Sequence, residues 1–370
     1  MQLLYFAPVP WNSYPQRPHY IVRELVRQGV EEVTWVDPYP TRLPLLKDFK
    51  RVSGRRECVG EPFQLPLEQI SPHALPIEPL PTGSLLNKWL FWRALMTHLK
   101  DWIKSPLIIG CGRPSELAFL CLQEMSPSFS FFDAMDDFPL FYKGISRISM
   151  KKQEVRITRA VSYVIASSHG LLSKYHRHSP RPSLILNAYD MSDLPPVINA
   201  SKCNPFFSYV GTMGKWFDWS WVIRFARQIP DIAVRLIGPV FSPPPSQLPS
   251  NIILAGAVRR EAIADLIADG IAGIIPFKVS ELTQGVDPIK YYEYRAYGLP
   301  VISTKFGEMC LRVSEKGVFL CDSPEHILSM LDDIIKSRED ISLVPAFRKA
   351  NDWTERLRGL LGYITHVDKI

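Results

Sequence analysis

Cysteine is scarce in this sequence, and the few cysteines form no metal-ligand pattern. The chain has 6 cysteines among 370 residues, with no Cys-x-x-Cys pair and no histidine at zinc-ligand spacing. This distribution argues against a zinc site, and it favours reduced thiols in a cytoplasmic protein. The cysteines lie at positions 58, 111, 121, 203, 310 and 321.

Long apolar runs are also lacking. No stretch approaches the ~18 uninterrupted apolar residues of a membrane-spanning helix, and no signal peptide precedes the first apolar strand, Gln2 to Ala7. Positive charges only modestly outnumber negative charges, and the formal net charge is +6. We expect a cytoplasmic protein that is soluble or lies peripherally on the cytoplasmic face of the inner membrane.

The sequence does contain enough apolar residues for two cores. Apolar residues make up 46% of the chain and aromatic residues 11%. A chain of 370 residues also exceeds the length at which one core stops growing. Short apolar runs alternate with helical segments through both halves, which predicts an α/β protein of two doubly wound domains facing a cleft.

One stretch of the second half, from Phe277 to Thr304, is a polar insert between two apolar runs. Pro288 has the fixed φ expected at a helix start, so residues 289–297 are predicted to be helical. Lys290 and Glu293 then lie at i and i+3 on one face. A helix that opens after a parallel strand presents free N–H groups and a positive dipole end to an anionic ligand. Lys290 would meet a phosphate, and Glu293 would accept hydrogen bonds from sugar hydroxyls.

This stretch resembles known transferase motifs. Glu293-Tyr-Arg-Ala-Tyr-Gly-Leu-Pro-Val-Ile-Ser is similar to the E-h-h-A-x-G-x-P-V-V block of the carboxy-terminal domain of GT-B glycosyltransferases. The longer pattern P-F-x-x-x-E-L-T-x-G-x-x-P-x-K-x-Y-E-Y most resembles bacterial transferases of the teichuronic-acid and exopolysaccharide type. The Pro-x-Lys-x-x-Glu spacing is similar to the inverting glucuronosyltransferase of xanthan assembly. The resemblance implies that Glu293 binds the ribose of a nucleotide-sugar and that Lys290 binds its diphosphate.

The implied reaction moves a sugar from a nucleotide-diphosphate sugar, expected to be a UDP-sugar, to a lipid-linked or saccharide acceptor of bacterial surface polysaccharide. The chain departs from the large retaining family with Glu-x7-Glu, because Gly285 occupies the position of the first glutamate. We therefore expect an inverting enzyme with an aspartate base, and a retaining GT-B enzyme stays the alternative. No metal or other cofactor is expected, because Lys290 and helix dipoles can replace the cation.

The resemblance also assigns roles to the two halves, each expected to be Rossmann-like. Residues 1–190 are predicted to be the N-terminal acceptor-binding domain, and residues 205–345 the C-terminal nucleotide-sugar-binding domain. Residues 191–204 are predicted to be a linker, because prolines and polar residues dominate them. Residues 346–370 are expected to form a helix that crosses back to the first domain.

Other strand ends of the second domain supply further predicted donor contacts. Gly211, Met213 and Gly214 form a glycine turn after a strand, where backbone amides could approach a phosphate. Val258 and Arg259 follow another strand, at a usual place for contacts to the base. The remaining predicted donor-binding residues are Thr283, Gln284 and Ile289.

A cluster of three acids, Asp133, Asp136 and Asp137, follows a strand of the first half. A carboxylate in the cleft could take the proton from the acceptor hydroxyl. We favour Asp137 over Asp136, with His19 third, although one of these two aspartates could instead cap the next helix. Arg17 and His19, in a Gln-Arg-Pro-His block, are predicted to contact acceptor or diphosphate, or else to cap and pack a helix start.

A second hypothesis is that the protein binds an anionic surface or nucleic acid and is not an enzyme. From residue 141 to residue 182 the chain has nine Lys or Arg against one acid, a local excess of eight positive charges. Such a segment suits an anionic membrane or nucleic acid, and it is also typical of a solvated helical face. The predicted helix 83–104 places tryptophans among basic residues, which fits an interfacial membrane helix as well as core packing. No nucleic-acid-binding motif is present, so no nucleic-acid partner is expected.

Overall fold

The computed structural model describes residues 1–44, 63–177, 182–192, 194, 205–259 and 262–365. The chain divides into two compact units, one of Met1–Ile185 with Leu357–Ile370 and one of Leu186–Arg356. The chain thus returns to its first unit at Leu357. Most of the predicted linker, residue 193 and residues 195–204, lies outside the described residues.

The first unit alternates strands and helices. Its elements in chain order are β1 (Gln2–Phe6), α1 (Arg17–Arg27), β2 (Glu32–Val36), β3 (Leu67–Ile70), α2 (Gly83–Asn87), a π-helix (Lys88–Trp92), α3 (Arg93–Trp102), β4 (Leu107–Cys111), α4 (Glu116–Glu124), β5 (Phe129–Ala134), a 3-10 helix (Phe138–Phe141), α5 (Gly144–Ala160), β6 (Tyr163–Ala166), α6 (His169–Tyr175) and β7 (Pro182–Leu184). Within the described part of the chain the strands form one parallel sheet, in the order β3-β2-β1-β4-β5-β6-β7. The strands β1 and β4 are buried along their whole length, as is typical of a parallel sheet covered on both faces.

The second unit repeats this alternation. Its elements are β8 (Phe206–Val210), α7 (Trp219–Gln228), β9 (Ala233–Ile237), β10 (Ile252–Gly256), α8 (Ile263–Ile267), β11 (Ala272–Ile275), α9 (Glu281–Gln284), α10 (Ile289–Ala296), β12 (Val301–Ser303), a 3-10 helix (Gly307–Arg312), β13 (Val318–Leu320), a 3-10 turn (Pro324–His326), α11 (Ile327–Glu339), α12 (Val344–Ala350) and α13 (Trp353–Arg356). A last helix, α14 (Leu360–Thr365), belongs to the first unit. The described strands form a second parallel sheet, in the order β10-β9-β8-β11-β12-β13.

Polar caps set the starts of several helices. Ser115 accepts a hydrogen bond from the Ala118 N–H at the start of α4, and Asp218 accepts one from the Trp221 N–H at the start of α7. Each cap satisfies an N–H group that has no partner inside the helix. Pro288 is the N-cap of α10, in the position that its fixed φ predicts.

The region between β2 and β4 differs from the sequence prediction. The segment from Asp37 to Thr82, which is rich in proline and which the sequence predicts to be irregular, contains β3, and its residues 45–62 lie outside the described part. The predicted helix 83–104 is interrupted by the π-helix, and its tryptophans separate, with Trp92 fully buried and Trp89 63% exposed. No helix among the described residues is long and apolar enough to cross a membrane.

A buried ion pair ties the first unit together. Arg17 Nε donates to Asp133 Oδ1 at 2.9 Å and to Oδ2 at 3.2 Å, and Arg17 Nη1 donates to the Ile185 carbonyl oxygen at 2.8 Å. The Arg17 side chain is 1% exposed and the Asp133 side chain 0%. The pair therefore joins α1, β5 and the chain at Ile185 in a buried position.

Removing one member of this pair should destabilise the first unit strongly. Arg17→Met leaves the Asp133 carboxylate buried without its cation, which costs about 3–5 kcal/mol. The double variant Arg17→Met with Asp133→Leu should recover most of this loss, because it leaves no buried charge. The free energy of unfolding in urea measures both effects.

The matched control is Arg27→Met on the same helix. Arg27 pairs with Glu24, but its side chain is 54% exposed, so its loss should cost less than about 1 kcal/mol. Equal destabilisation by Arg17→Met and Arg27→Met would contradict the structural role of the buried pair.

Candidate functional site

The second sheet has a topological switch point between β8 and β11. These strands are neighbours, but the chain continues from them toward opposite edges of the sheet. Loops leaving the carboxyl ends of such strands diverge, and ligands of α/β proteins bind in the crevice that results. The turn Gly211–Gly214 follows β8, the segment beginning at Pro276 follows β11, and α10 brings Lys290 to the same place.

Neighbouring side chains lie so close to both glycines of this turn that no larger residue would fit there. Gly211 has φ +137°, and a Cβ built on it would lie 2.6 Å from Lys290 Nζ. A Cβ on Gly214 would lie 2.6 Å from the indole ring of Trp216. The ammonium of Lys290 therefore lies against bare backbone, and only glycine permits that approach.

Lys290 has an unusual environment for a cation. Its side chain is half-buried, with Nζ 5.4 Å from the ring centroid of Tyr209 and 5.7 Å from that of Phe277. Burial lowers the pKa of Lys290, and the Glu293 carboxylate opposes this effect. Across the described residues its ammonium has neither an ion-pair partner nor a hydrogen-bond acceptor. An anionic ligand would supply the missing charge.

Of the three turn residues that the sequence suggested, Gly211 and Met213 use their N–H groups within the protein, and Gly214 does not do so among the described residues. The Met213 N–H donates to the Pro239 carbonyl oxygen at 2.9 Å, and the Met213 side chain is fully buried. Met213 therefore has no amide free for a phosphate. The neighbouring N–H groups of Thr212 and Gly214 donate to no atom of the described residues.

Glu293 lies one turn beyond Lys290 on α10. Its side chain is 9% exposed, and Oε1 accepts a hydrogen bond from the Tyr189 hydroxyl at 3.2 Å. Tyr189 thus orients the carboxylate from the segment that enters the second unit. Since one turn of helix rises about 5 Å, Lys290 and Glu293 can contact adjacent groups of one extended ligand.

The other predicted donor residues fall into two groups. Thr283 is buried, and its hydroxyl donates to the Lys278 carbonyl oxygen at 2.6 Å and accepts from the Ser280 N–H at 3.0 Å, so it caps α9. The structure gives this hydroxyl a local role. The remaining residues keep partly or fully exposed side chains at strand and helix ends: Gln284, Ile289, Val258 and Arg259.

Asp287, which the sequence analysis missed, holds the loop ahead of α10. Its Oδ1 accepts from Arg312 Nη2 at 2.8 Å. Its Oδ2 accepts from the Asn187 N–H at 2.7 Å and from the Tyr292 hydroxyl at 2.8 Å. The position of Asp287 just before Pro288 is a signal for a fixed turn, but two of its three partners, Asn187 and Arg312, are distant in sequence.

The three carboxylates of the first unit have different environments. Asp133 forms the buried ion pair with Arg17, and burial nevertheless raises the pKa of Asp133. Asp137 is the N-cap of the 3-10 helix without a side-chain cap bond, and it pairs with Lys174 Nζ at 3.0 Å. Asp136 is half-buried, and its carboxylate has no partner in the described part of the chain. Burial, followed by the charges of Asp133 and Asp137, raises the pKa of Asp136 to about 7.

The side chains of His19 and Arg17 both form hydrogen bonds with other groups of the protein. His19 is fully buried, where Nδ1 accepts from the Gln16 N–H at 3.1 Å and Nε2 lies 3.1 Å from the Trp11 carbonyl oxygen. Burial lowers the pKa of His19. These contacts favour the capping and packing alternative for His19, and the ion pair with Asp133 favours it for Arg17.

The two parallel sheets with alternating helices define the GT-B class of fold. Sucrose-phosphate synthase from Thermosynechococcus elongatus is similar to this chain with a TM-score of 0.69 and 14% identity, over 98% of each chain. HepE from Anabaena in complex with UDP has a TM-score of 0.63 and 11% identity, over 99% of this chain and 100% of its own. The lipopolysaccharide outer core galactosyltransferase WaaB, in its apo form, has a TM-score of 0.62 and 12% identity, over 98% and 99%.

No protein-family model and no curated protein matches the sequence. At 11–14% identity the three structures show the fold. The finer resemblance to teichuronic-acid, exopolysaccharide and xanthan transferases stays a prediction. Within the described ranges, no group of three or more His, Cys, Asp or Glu is placed to hold a metal ion.

The raised pKa of Asp136 should appear in the pH dependence of stability. A carboxyl whose pKa is about 7 in the folded state and about 4 in the unfolded state contributes stability that is full below pH ~4 and lost as pH rises through about 7. Asp136→Asn removes this contribution. The difference in unfolding free energy, variant minus wild type, should therefore increase with pH over this range, as measured by urea titrations at several pH values.

Asp137→Asn is the companion variant. It removes the pair with Lys174 and should not reproduce the same change in slope. A pH dependence identical in wild type and Asp136→Asn would show that Asp136 ionises normally.

Proposed function

We propose that this protein is a GT-B glycosyltransferase that uses a UDP-sugar and transfers its sugar to a saccharide or lipid-linked acceptor without a metal ion. The observation that carries the proposal is the half-buried ammonium of Lys290, which lies without a counter-ion beside Gly211 at the switch point of the second sheet. A diphosphate provides the missing negative charge. The N–H groups of Thr212 and Gly214 provide further donors for the same anion.

This arrangement suits the leaving group of glycosyl transfer. As the bond to the sugar breaks, negative charge grows on the diphosphate, and a cation already fixed beside it stabilises that charge without reorganisation. The low polarity of the surroundings, which include Tyr209 and Phe277, strengthens the attraction. Lys290 can therefore take the part that a divalent cation plays elsewhere.

Glu293 is proposed to bind the ribose of the same nucleotide. Its carboxylate lies one helical turn from Lys290, and the Tyr189 hydroxyl holds one oxygen. A carboxylate accepts hydrogen bonds from paired hydroxyl groups, which a ribose presents and a phosphate does not. The UDP that HepE carries in its crystal structure accords with this choice of ligand.

The base is proposed to be Asp136. A base should have a pKa near the working pH and an unoccupied carboxylate, and Asp136 combines both properties. It would take the proton from the acceptor hydroxyl while the oxygen attacks the anomeric carbon and UDP leaves with the bonding electrons. Asp137, which the sequence analysis favoured, is second because Lys174 already neutralises it.

The proposed classes of acceptor and sugar rest on the resemblance of the sequence motifs. The Phe277–Thr304 stretch resembles enzymes of teichuronic-acid, exopolysaccharide and xanthan assembly, which supports a hexosyl or uronosyl transfer in surface polysaccharide synthesis. A retaining GT-B enzyme is the second candidate, and it would need no carboxylate base. Variants of Asp136 separate the two mechanisms.

The first test removes the charge of Lys290. Lys290→Met keeps an unbranched apolar stem but removes the ammonium, and it should weaken UDP binding roughly 10- to 150-fold, as expected for a lost charge-assisted hydrogen bond. Uridine, which has no phosphate, should bind equally to both proteins. Thermal stability without ligand should be unchanged or higher, since an unpaired half-buried charge is removed. Titration calorimetry and thermal unfolding measure these quantities.

Two comparisons make this result specific. Lys349→Met removes an exposed lysine of α12 and should leave UDP affinity unchanged. Glu293→Gln should weaken UDP and uridine alike, since its proposed partner is the ribose. Unchanged UDP affinity in a folded Lys290→Met protein would refute the donor site.

The second test concerns the base. Asp136→Asn should leave UDP affinity intact and lower the transfer rate roughly 10²- to 10⁴-fold. In the wild type the rate should rise with pH through about 7, as the Asp136 carboxyl loses its proton. The variant should lose that rise. A near-normal transfer rate in Asp136→Asn and in Asp137→Asn would favour the retaining mechanism.

A further inference from the structure

The first sheet has a topological switch point of its own. The strands β1 and β4 are neighbours, but the chain continues from β1 to β2 on one side and from β4 to β5 on the other. A small cavity lies here, outside the carboxyl ends of β1, β2 and β4, where α/β proteins bind ligands. Its lining includes Asp37, Tyr39, Thr41, Arg113 and Ser115.

Arg113 brings a positive charge to this cavity. Its side chain is half-buried, and Nη2 donates to the Thr41 hydroxyl at 2.6 Å and to the Tyr142 hydroxyl at 2.7 Å. Both partners are neutral, and Arg113 forms no ion pair with the residues that the structure describes. Its Nε and Nη1 groups likewise donate to no atom of the described residues. The guanidinium therefore keeps its charge and three of its five N–H bonds for a ligand.

The two hydroxyl groups beside Arg113 supply a further donor. The Thr41 and Tyr142 hydroxyl oxygens lie 3.3 Å apart, so one of them donates to the other. The second hydroxyl proton has no acceptor within the described ranges, and it can bond to a ligand. An anion accepts several hydrogen bonds at once, so it fits this set of donors better than a neutral group does.

The start of α4 does not supply this site. The first three N–H groups of this helix all donate to side chains, namely those of Glu78, Tyr39 and Ser115. Glu78 also accepts a hydrogen bond from the Tyr39 hydroxyl at 2.7 Å. Burial raises the pKa of Glu78 to about 7, although Arg113 opposes this effect. Glu78 thus caps the helix and is not an ion-pair partner of Arg113.

Asp37 gives the cavity a second kind of polar group. Its Oδ1 accepts from the Trp11 N–H at 3.1 Å, and its Oδ2 accepts from Gln69 Nε2 at 2.8 Å and from the Ser71 hydroxyl at 2.7 Å. A carboxylate oxygen with one donor can accept a second hydrogen bond, and a ligand hydroxyl would provide it. The cavity therefore favours a ligand that carries both a negative charge and hydroxyl groups.

The carboxyl edge of this sheet also holds the proposed base. Arg113 follows β4, and Asp136 follows β5, which pairs with β4. Neighbouring strands of a sheet lie about 4.8 Å apart, so residues that follow them can contact one small ligand. This arrangement suits an acceptor whose charged group is bound by Arg113 and whose reacting hydroxyl reaches Asp136.

We propose that Arg113, together with the hydroxyl groups of Thr41 and Tyr142, binds the negatively charged group of an acidic sugar, either a sugar phosphate or a sugar carboxylate. The binding of this sugar does not depend on the proposed reaction, whereas its part as the acceptor rests on the proposed function. In that part Arg113 determines specificity, because it favours a charged acceptor over a neutral one. The donor-site residues Lys290 and Glu293 take no part in this binding.

The first experiment measures the binding of glucose 6-phosphate, glucuronate and glucose to the full chain by titration calorimetry without UDP. At least one acidic sugar should bind more than ~10-fold more tightly than glucose, because glucose offers Arg113 no charge. The tighter of the two identifies the charged group as phosphate or carboxylate. The matching free anion, inorganic phosphate or acetate, should bind more weakly, since it offers Asp37 no sugar hydroxyl.

Three variants assign this binding to its residues. Arg113→Met should weaken the binding of the acidic sugar roughly 10- to 150-fold, and Arg113→Lys, which keeps the charge, should recover part of the loss. Tyr142→Phe should weaken it roughly 2- to 10-fold. The matched control is Arg93→Met, which removes an exposed arginine of α3 and should bind like the wild type. Tyr142→Phe keeps Arg113 and tests the site even if Arg113→Met does not fold.

Transfer assays connect the site to the proposed reaction. Arg113→Met should raise the KM for an acidic acceptor by the factor by which it weakens binding. Its affinity for UDP should equal that of the wild type. A wild type that binds acidic sugars but not UDP would refute the proposed function and leave this site in place. A wild type that binds UDP but not acidic sugars would refute this site alone.

Three results would overturn the inference. One is equal affinity of the wild type for glucose and for both acidic sugars. Another is affinity for the acidic sugar in folded Arg113→Met and Tyr142→Phe equal to that in Arg93→Met, which would leave Arg113 only its structural contacts with Thr41 and Tyr142. The third is a free anion that binds as tightly as the matching sugar, which would show that the sugar is not recognised.

Discussion

The candidate site of the second unit depends on the ammonium group of Lys290, which forms no ion pair with the described residues. Burial makes such a cation costly, and the rings of Tyr209 and Phe277 and the Glu293 carboxylate offset this cost only in part, since the pKa of Lys290 is still lowered. The side chain is kept there by the start of α10. Asp287 fixes the loop before that helix through partners from three other segments. The start of α10 thus keeps this cation available, and an anionic ligand would neutralise it.

The three aspartates of the first unit have identical side chains, but their different partners give them different chemical properties. Arg17 neutralises Asp133, and Lys174 neutralises Asp137. Asp136 has no cation of its own among the described residues, and its pKa rises to about 7, first because it is buried and second because it lies near the charges of Asp133 and Asp137. The two cations therefore do more than stabilise the fold. By fixing two negative charges in place, they add to the effect of burial on the pKa of Asp136.

The sequence was sufficient for features that depend on local pattern and insufficient for those that depend on distant partners. Apolar runs and helix signals predicted the two α/β sheets, and the spacing within α10 placed Lys290 and Glu293 on one face. The roles of Met213 and His19 were not predictable in this way. The Met213 amide is taken by Pro239, and the His19 ring by Gln16 and Trp11, through turns whose geometry the residue types do not specify. The π-helix likewise determines which tryptophan is buried, and periodicity alone does not show it.

The lowered pKa of Lys290 has a consequence for its reactivity. An amine that holds its proton less tightly is uncharged for a larger fraction of the time at neutral pH, and only the uncharged amine is a nucleophile. Lys290 is therefore suited to selective acylation or imine formation by a small reagent that carries a phosphate. A bound diphosphate would reverse this property, because the charged ligand favours the protonated amine. Lys290 should therefore react more slowly with such reagents when a diphosphate is bound at the site.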